Sequence, residues 1–177
     1  AHAGTAIASV GAVTALTAPG EISSFIVPAG TPGMTIEPPY RKLGWHASDT
    51  HGITLADCRV PAGNMLGAQG SGLRNFLAIL DDGRIAISAL AVGCAQACLD
   101  LAVDYAKERQ AFGGPIGRFQ GLAFQLADLA VAVENSRNLT YGAARSKDRG
   151  KPFRQAAAMA KLYSTETAVT ATRVATQ

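Results

Sequence analysis

The sequence is poor in charged residues, in aromatic residues and in cysteine. Of its 177 residues, 16% are charged and 6% are aromatic, and there is one tryptophan. The three cysteines, Cys58, Cys94 and Cys98, are odd in number and lack CxxC or paired-histidine spacing. The sequence therefore predicts neither a disulfide framework nor a zinc site. Free thiols favour a reducing compartment, so we expect a cytoplasmic location.

The sequence also lacks the marks of targeting and of membrane insertion. The N-terminal run AHAGTAIASVG has neither a basic region nor an apolar one, and no Arg-rich transit segment is visible. Residues 85–99 form a charge-free stretch of 15 residues, which is shorter than a membrane span and predicts a buried helix. We therefore expect no membrane partner.

Strong charge of one sign is lacking too, because the formal net charge is only +3. The surplus belongs to residues 71–177, which hold thirteen Lys and Arg against nine Asp and Glu. Five basic residues cluster within residues 145–154. This cluster indicates either a solvated connection between two helices or a contact with nucleic acid, and the modest net charge favours the first.

The chain divides into two segments with different sequence patterns. Residues 1–68 contain short β-branched runs with turn residues at 18–20 and 31–33, which is typical of strands. From Ser71 onward apolar residues recur every three or four positions, which is typical of helices. The sequence thus predicts an α+β fold in two segments, residues 1–68 and 69–177. Helices are expected at 71–110, 119–149 and 152–176, and strand-like runs at residues 5–16, 22–29 and 51–61. A strand-like start and a last helix still running at residue 177 suggest truncation at both ends.

The sequence contains neither a hydrolase catalytic motif nor a glycine-rich nucleotide-binding motif. The three histidines, His2, His46 and His51, lie in the β segment without a nucleophile-elbow sequence. The glycines of residues 67–72 lack the preceding strand of a GxGxxG fingerprint and predict a turn that enters a helix.

Asp81 and Arg84 lie three positions apart on the first predicted helix. Residues at this spacing share a helix face, so the pair indicates either a helical salt bridge or an acid and a base that meet a polar ligand.

Arg109 falls in the last turn of the same helix, where the helix dipole favours a cation. Phe112, two glycines and Gln120 follow closely. The set offers a guanidinium, an aromatic face, open backbone and an amide, which suits a planar, phosphorylated cofactor.

Five segments in order resemble the acyl-CoA dehydrogenase family, over essentially the whole chain. They are ISSFIVPAGTPGM, KLGWHASDT, DCRVPAGNMLGAQGSG, LDDGRI and YAKERQAFGGPIGRFQ. The resemblance implies part of a middle β-barrel-like domain in residues 1–68, followed in residues 69–177 by most of a C-terminal four-helix bundle. It also implies a flavoprotein of fatty-acid metabolism that uses FAD and is usually a homotetramer.

By the same resemblance, Arg109 is expected to contact the FAD pyrophosphate across a subunit interface, with Phe112 and Gln120 as neighbouring cofactor contacts. Gln177 is similar to the first residue of the family's Q-x-x-G-G-x-G segment, and is a fourth expected FAD contact. Ala111 departs from members that carry a hydroxyl at that position.

Asp81 and Arg84 match the family's pair at the acyl-CoA pocket. No catalytic residue is assigned in this chain. The catalytic glutamate of most members follows the glycine-rich segment, and in a minority it occupies the position of Gly83, which has no side chain. We therefore expect the chain to lack the base, and to be an incomplete and inactive part of the enzyme.

The function expected from the resemblance is FAD-dependent α,β-dehydrogenation of an acyl-CoA thioester to the trans-2-enoyl-CoA. Its partners would be an electron acceptor such as an electron-transfer flavoprotein and further copies of the chain, as a dimer or tetramer. Two alternatives stay open: a relative that binds nucleic acid, and an oligomeric scaffold without dehydrogenase activity.

Overall fold

The computed structural model describes residues 2–3 and 10–177 of the chain. The chain divides into two compact units, residues 1–77 and residues 78–177. The predicted domain boundary, between residues 68 and 69, stays a prediction.

The described residues of the first unit form two antiparallel three-stranded sheets, with strand orders β1–β5–β4 and β2–β3–β6. The strands are β1 His2–Ala3, β2 Val10–Ala18, β3 Glu21–Pro28, β4 Met34–Pro39, β5 Thr50–Leu55 and β6 Met65–Leu66. The sequence predicts β2, β3 and β5, although residues 5–9 of the first predicted run lie outside the described residues. Both predicted turns are present: Gly20 takes a φ of 78° between β2 and β3. The Met34 N–H donates to the Thr31 carbonyl at 3.0 Å.

Strand β4 was not predicted from the sequence, and it contains Pro38 and Pro39, residues that are unusual inside a strand. The structure accommodates both prolines because β4 is an outer strand of its sheet, where a missing N–H need not break a ladder bond. The register with β5 also shifts between Ile36 and Pro39.

His51 on β5 is a buried side chain with two polar partners. Its Nδ1 lies 2.7 Å from the Glu37 carbonyl oxygen and its Nε2 lies 2.8 Å from Asp49 Oδ2. Donation to the Glu37 carbonyl raises the pKa of His51 above its ordinary value, burial opposes this shift, and the Asp49 carboxylate adds to it. The imidazole therefore joins β4, β5 and the loop before β5.

The helices lie within two residues of their predicted bounds. They are α1 Gly72–Glu108, α2 Gln120–Asp148 and α3 Arg154–Ala175. Helix α2 ends at a left-handed glycine, because Gly150 takes a φ of 64° and its N–H donates to the Lys147 carbonyl. The connection between α1 and α2 is a hairpin of β7 Gln110–Ala111 and β8 Gly114–Pro115, followed by a 3₁₀ turn at Ile116–Arg118.

Small and apolar side chains of all three helices share a core in the second unit. The main cluster is Ala95, Leu99, Ala106, Leu126, Leu129, Val133 and Ala171. Helices α2 and α3 approach closely enough for two buried hydroxyls, those of Thr140 and Ser164, to lie 3.4 Å apart. The small residues of the sequence thus permit close helix packing.

Helix α1 is less buried than the sequence predicts. Ala91, Val92 and Ala95 are buried, but Leu90 and Leu101 are exposed. In the described residues α1 is also the one helix that is long and apolar enough to cross a membrane, and 17% of its most apolar window is buried. The prediction of a buried helix over residues 85–99 is wrong for this chain, because α2 and α3 cover only one side of α1.

Candidate functional site

Arg109 lies at the base of the hairpin between α1 and α2. Its N–H donates to the Tyr105 carbonyl at 2.8 Å, which extends the last turn of α1, and its carbonyl accepts from the Ile116 N–H at 2.9 Å. Between these bonds, β7 and β8 pair antiparallel. The backbone of Arg109 is therefore fixed from both sides, while its side chain is exposed.

Phe112 lies at the tip of this hairpin, in an unusual backbone conformation. Phe112 and Gly113 take φ values of 51° and 86°, and positive φ at both central residues is the requirement of a type I′ turn. Phe112 is 89% exposed, and its ring packs edge to face on the Phe119 ring with the two ring centroids 6.0 Å apart. The turn therefore presents an aromatic ring to solvent in a defined orientation.

Gln120 begins α2 directly after Phe119. The Phe119 carbonyl accepts from the N–H groups of Leu122 and Ala123, so this is a regular helix start. The first N–H groups of a helix have no acceptor within it and carry the positive end of the dipole. This start favours an anionic group beside the exposed Gln120 side chain.

The structure thus brings three of the four predicted cofactor residues, Arg109, Phe112 and Gln120, to one corner, and all three are exposed. The corner combines a guanidinium, an aromatic ring, an amide and a helix N-terminus. This donor set fits a dinucleotide with a pyrophosphate and a planar ring system.

Gln177 follows the end of α3 and is exposed. Val174, in the last turn of α3, packs against the same core cluster as Ile116 and Leu122. The fourth predicted cofactor residue therefore lies at the same end of the helical unit as the hairpin.

Asp81 and Arg84 form the salt bridge that their spacing predicts. Arg84 Nη1 donates to Asp81 Oδ1, and Arg154 Nε lies 3.7 Å from the other carboxylate oxygen. The Asp81 side chain is 17% exposed. The structural interpretation of the pair is realised, and Asp81 also ties α1 to the start of α3.

The basic cluster of residues 145–154 is partly neutralised. Lys147 Nζ lies 2.9 Å from Asp82 Oδ1, and Arg154 lies near Asp81. Two of its five basic side chains therefore pair with acids of α1, which weakens the field available to a phosphate backbone.

The two predicted groups of site residues, the Asp81–Arg84 pair and the hairpin corner, lie at opposite ends of α1. Arg84 and Glu108 are 24 positions apart, which corresponds to about 36 Å at 1.5 Å per residue. Within one copy of the chain, the Asp81–Arg84 pair and the hairpin corner cannot line one compact pocket.

Gly83, beside the pair, would have open space around an added Cβ. Three of the five glutamates already have protein partners in the described residues: Glu21 accepts from Gln69, Glu37 from Thr54 and Glu134 from Arg137. These contacts give the three carboxylates structural roles.

Sequence reasoning missed Arg118 and Phe119. Arg118 folds back over the hairpin tip, and the Phe119 ring packs against Phe112. The only sequence signal was their place directly before Gln120; the type I′ turn that brings them onto the tip becomes visible in the folded hairpin.

Comparison with known proteins identifies the family of this chain. The model of the acyl-CoA dehydrogenase C-terminal domain matches residues 70–177. The short-chain specific mitochondrial acyl-CoA dehydrogenase of Rattus norvegicus is 47% identical over 156 residues, covering 88% of this chain and 38% of the relative.

Two solved structures match nearly the whole chain. Butyryl-CoA dehydrogenase from Megasphaera elsdenii has a TM-score of 0.94 and 40% identity, covering 98% of this chain and 46% of that one. A structure described as the electron transferring flavoprotein of Acidaminococcus fermentans has the same TM-score and identity, covering 98% and 47%.

The chain thus spans less than half the length of the proteins that it matches. Acyl-CoA dehydrogenases are FAD-dependent flavoproteins, and the exposed donors of the hairpin corner fit that cofactor. The fold, the helix bounds and the matched segment agree, and the chain belongs to the acyl-CoA dehydrogenase family.

Proposed function

We propose that the protein oxidises an acyl-CoA thioester to its trans-2-enoyl-CoA, with FAD as the acceptor. In this reaction the α-carbon loses a proton to a base and the β-carbon loses a hydride, which leaves a carbon–carbon double bond. FAD, when bound, accepts the hydride. The observation that carries the proposal is the corner of Arg109, Phe112 and Gln120.

In this proposal the hairpin corner holds the cofactor. The Arg109 guanidinium and the start of α2 neutralise the pyrophosphate, Phe112 contacts the nucleotide, and Gln120 donates its amide. Gln177 adds a contact from the end of α3.

Asp81 and Arg84 hold the substrate at the other end of α1. Their mutual salt bridge, with Arg154 near the same carboxylate, fixes the orientation of the Arg84 guanidinium against the wall of the acyl-CoA pocket. The described glutamates serve as structural residues, and the base comes from none of them, so residues 1–177 by themselves are inactive.

A homo-oligomer, a dimer or a tetramer, belongs to the same proposal. The separation of about 36 Å along α1 supports it, because the hairpin corner of one copy can then serve the FAD of another. The exposed apolar side of α1 supports it as well, since a partner would cover Leu90 and Leu101.

Two further parts are proposed on similarity. An electron-transfer flavoprotein as the acceptor is supported by the match to the Acidaminococcus fermentans structure. A short acyl chain is supported by the butyryl-CoA and short-chain specific relatives. A cytoplasmic location stays a prediction, and the three free cysteines are compatible with it.

The test is spectroscopic and uses the protein at its full natural length. The purified protein should be yellow, and butyryl-CoA should bleach it under anaerobic conditions, with enoyl-CoA formed in equal amount. A colourless protein that cannot be reconstituted with FAD would overturn the proposal. Binding to duplex DNA at low salt would instead favour the nucleic-acid alternative.

A further inference from the structure

Arg118 is the side chain that closes the hairpin tip. It lies at the end of the 3₁₀ turn Ile116–Arg118, and its guanidinium reaches back over the turn that it follows. Nη2 donates to the Phe112 carbonyl, and Nη1 donates to the Gly113 carbonyl at 3.2 Å. One planar group therefore satisfies both carbonyls of the central turn residues.

The turn has a reason to need such a restraint. Its first central residue is Phe112, whereas type I′ turns favour Asn, Asp or Gly there, because a bulky side chain is strained at positive φ. The Arg118 hydrogen bonds form only when both turn carbonyls point toward the guanidinium. They stabilise a backbone conformation that Phe112 alone disfavours.

The same guanidinium also meets the aromatic pair. Arg118 Cζ lies 5.1 Å from the centroid of the Phe119 ring, within cation–π range, and Phe119 in turn packs edge to face on Phe112. Backbone and ring of Phe112 are thus both linked to Arg118.

Two glycines leave room for this arrangement. A Cβ on Gly114 would lie 2.6 Å from Arg118 Nη1, and a Cβ on Gly117 would lie 3.1 Å from the Ala106 carbonyl oxygen. The first contact would displace the guanidinium, and the second would push the 3₁₀ turn away from α1.

We propose that Arg118 is a positioning residue for FAD: it holds the Phe112–Gly113 turn in its left-handed conformation and so sets the Phe112 ring and the hairpin base at Arg109 for the cofactor. This inference rests on the proposed function, because it takes the hairpin corner to be the FAD site. It assigns Arg118 no contact with FAD itself.

The test is a double-mutant cycle on the protein at its full natural length, with FAD affinity measured by flavin fluorescence after removal of the cofactor. Arg118→Met should weaken FAD binding about ten-fold, the scale of lost charge-assisted hydrogen bonds. Arg118→Lys, which can reach one carbonyl at a time, should recover part of the loss. Arg149→Met removes the same charge from an exposed position between α2 and α3 and should change the affinity less than two-fold.

The background variant Phe112→Gly decides how Arg118 acts. Glycine adopts positive φ without strain and has no ring to orient. In this background, Arg118→Met should cost less than two-fold, because its target is gone. Unchanged circular dichroism and melting temperature would show that each variant is folded.

Three outcomes would overturn the inference. Wild-type-like FAD affinity of Arg118→Met overturns the positioning role while the proposed function stands. A ten-fold loss that persists in Phe112→Gly and weakens with added salt shows instead a direct contact with the FAD phosphates. A wild-type protein that binds no FAD overturns the proposed function and this inference together.

Discussion

The two ends of the helical unit use charged residues in opposite ways. At the Asp81 end, the acid is mostly buried, pairs with Arg84 and has Arg154 nearby, while Asp82 pairs with Lys147. At the hairpin end, Arg109, Phe112 and Gln120 are exposed and one of them occupies a strained turn. Protein contacts fix the charged groups of the first end in place, and in the proposed function Asp81 and Arg84 also hold the substrate. In the proposed function a ligand binds the exposed groups of the second end, which therefore carries the functional proposal.

The largest expected effect is at the hairpin end. Replacing Arg109 by Met should weaken FAD binding about 100-fold, because a guanidinium makes paired charge-assisted bonds to phosphate. Arg109→Lys should lose less, since the charge remains without the planar fork. Flavin fluorescence titration measures both variants. Unfolding free energy should stay within about 0.5 kcal/mol of wild type, as for exposed side chains in general; a large stability loss with unchanged FAD affinity would reverse the contrast between the ends.

At the Asp81 end, a substitution should lower the stability of the fold. Asp81→Asn removes the charge that Arg84 and Arg154 share in a mostly buried position, and should cost about 1–3 kcal/mol of unfolding free energy. Asp104→Asn is the matched control on α1. Its pair with Lys107 is also three residues apart at 3.5 Å, but both side chains are about 70% exposed, so less than about 0.5 kcal/mol is expected. Urea denaturation gives both values, and equal costs would refute the distinction.

The sequence predicted the two ends unequally well. Spacing alone predicts the Asp81–Arg84 pair, because residues three apart on a helix share a face, but Arg154 joins Asp81 only when α3 packs beside α1. The helix bounds were predicted within two residues, since Gly113, Pro115 and Gly150 mark the ends chemically.

At the hairpin end, the sequence predicted which residues form the site but not how they are arranged. The run from Arg109 to Gln120 indicated a compact loop, yet nothing in it predicted strands β7 and β8, because Phe112 is an unusual residue for a type I′ turn. Arg118 was missed for the same reason. The burial of α1 was overestimated. An apolar composition indicates that a helix packs against other residues, but it does not indicate which segment or which copy of the chain provides them.

Two glycines, one at each end of the helical unit, provide a further test of the comparison. Gly83→Ala places a Cβ in open space within α1 and should stabilise the fold by about 1 kcal/mol, the difference in helix propensity. Gly114→Ala places a Cβ against Arg118 and should weaken FAD binding several-fold by displacing the guanidinium. Denaturation and flavin titration of both variants measure the effects. FAD affinity that falls for Gly83→Ala and not for Gly114→Ala would contradict the assignment of the ends.

The smallest expected effect is in the β unit. His51 there is a buried group that, like Asp81, has polar partners within the protein. Its pKa is raised above the ordinary 6.5, chiefly by the Glu37 carbonyl. The folded state therefore binds the proton more tightly, so this contribution is fully present below about pH 6.5 and is lost as pH rises through the raised pKa. Unfolding free energy measured across this range should fall with a shallower slope in His51→Gln. An identical slope in both proteins would show that His51 does not contribute.

The central claim is that the hairpin corner of one copy serves the FAD site of another, and subunit complementation tests it most directly. Arg109→Met and Arg84→Met proteins, each inactive alone, are mixed under conditions that exchange subunits, and acyl-CoA dehydrogenation is measured. If the two residues act from different copies, mixed dimers contain one intact site, and an equal mixture should recover about one quarter of wild-type activity. Mixed oligomers that form, as seen by native mass spectrometry, yet show no activity above the separate variants would contradict the account.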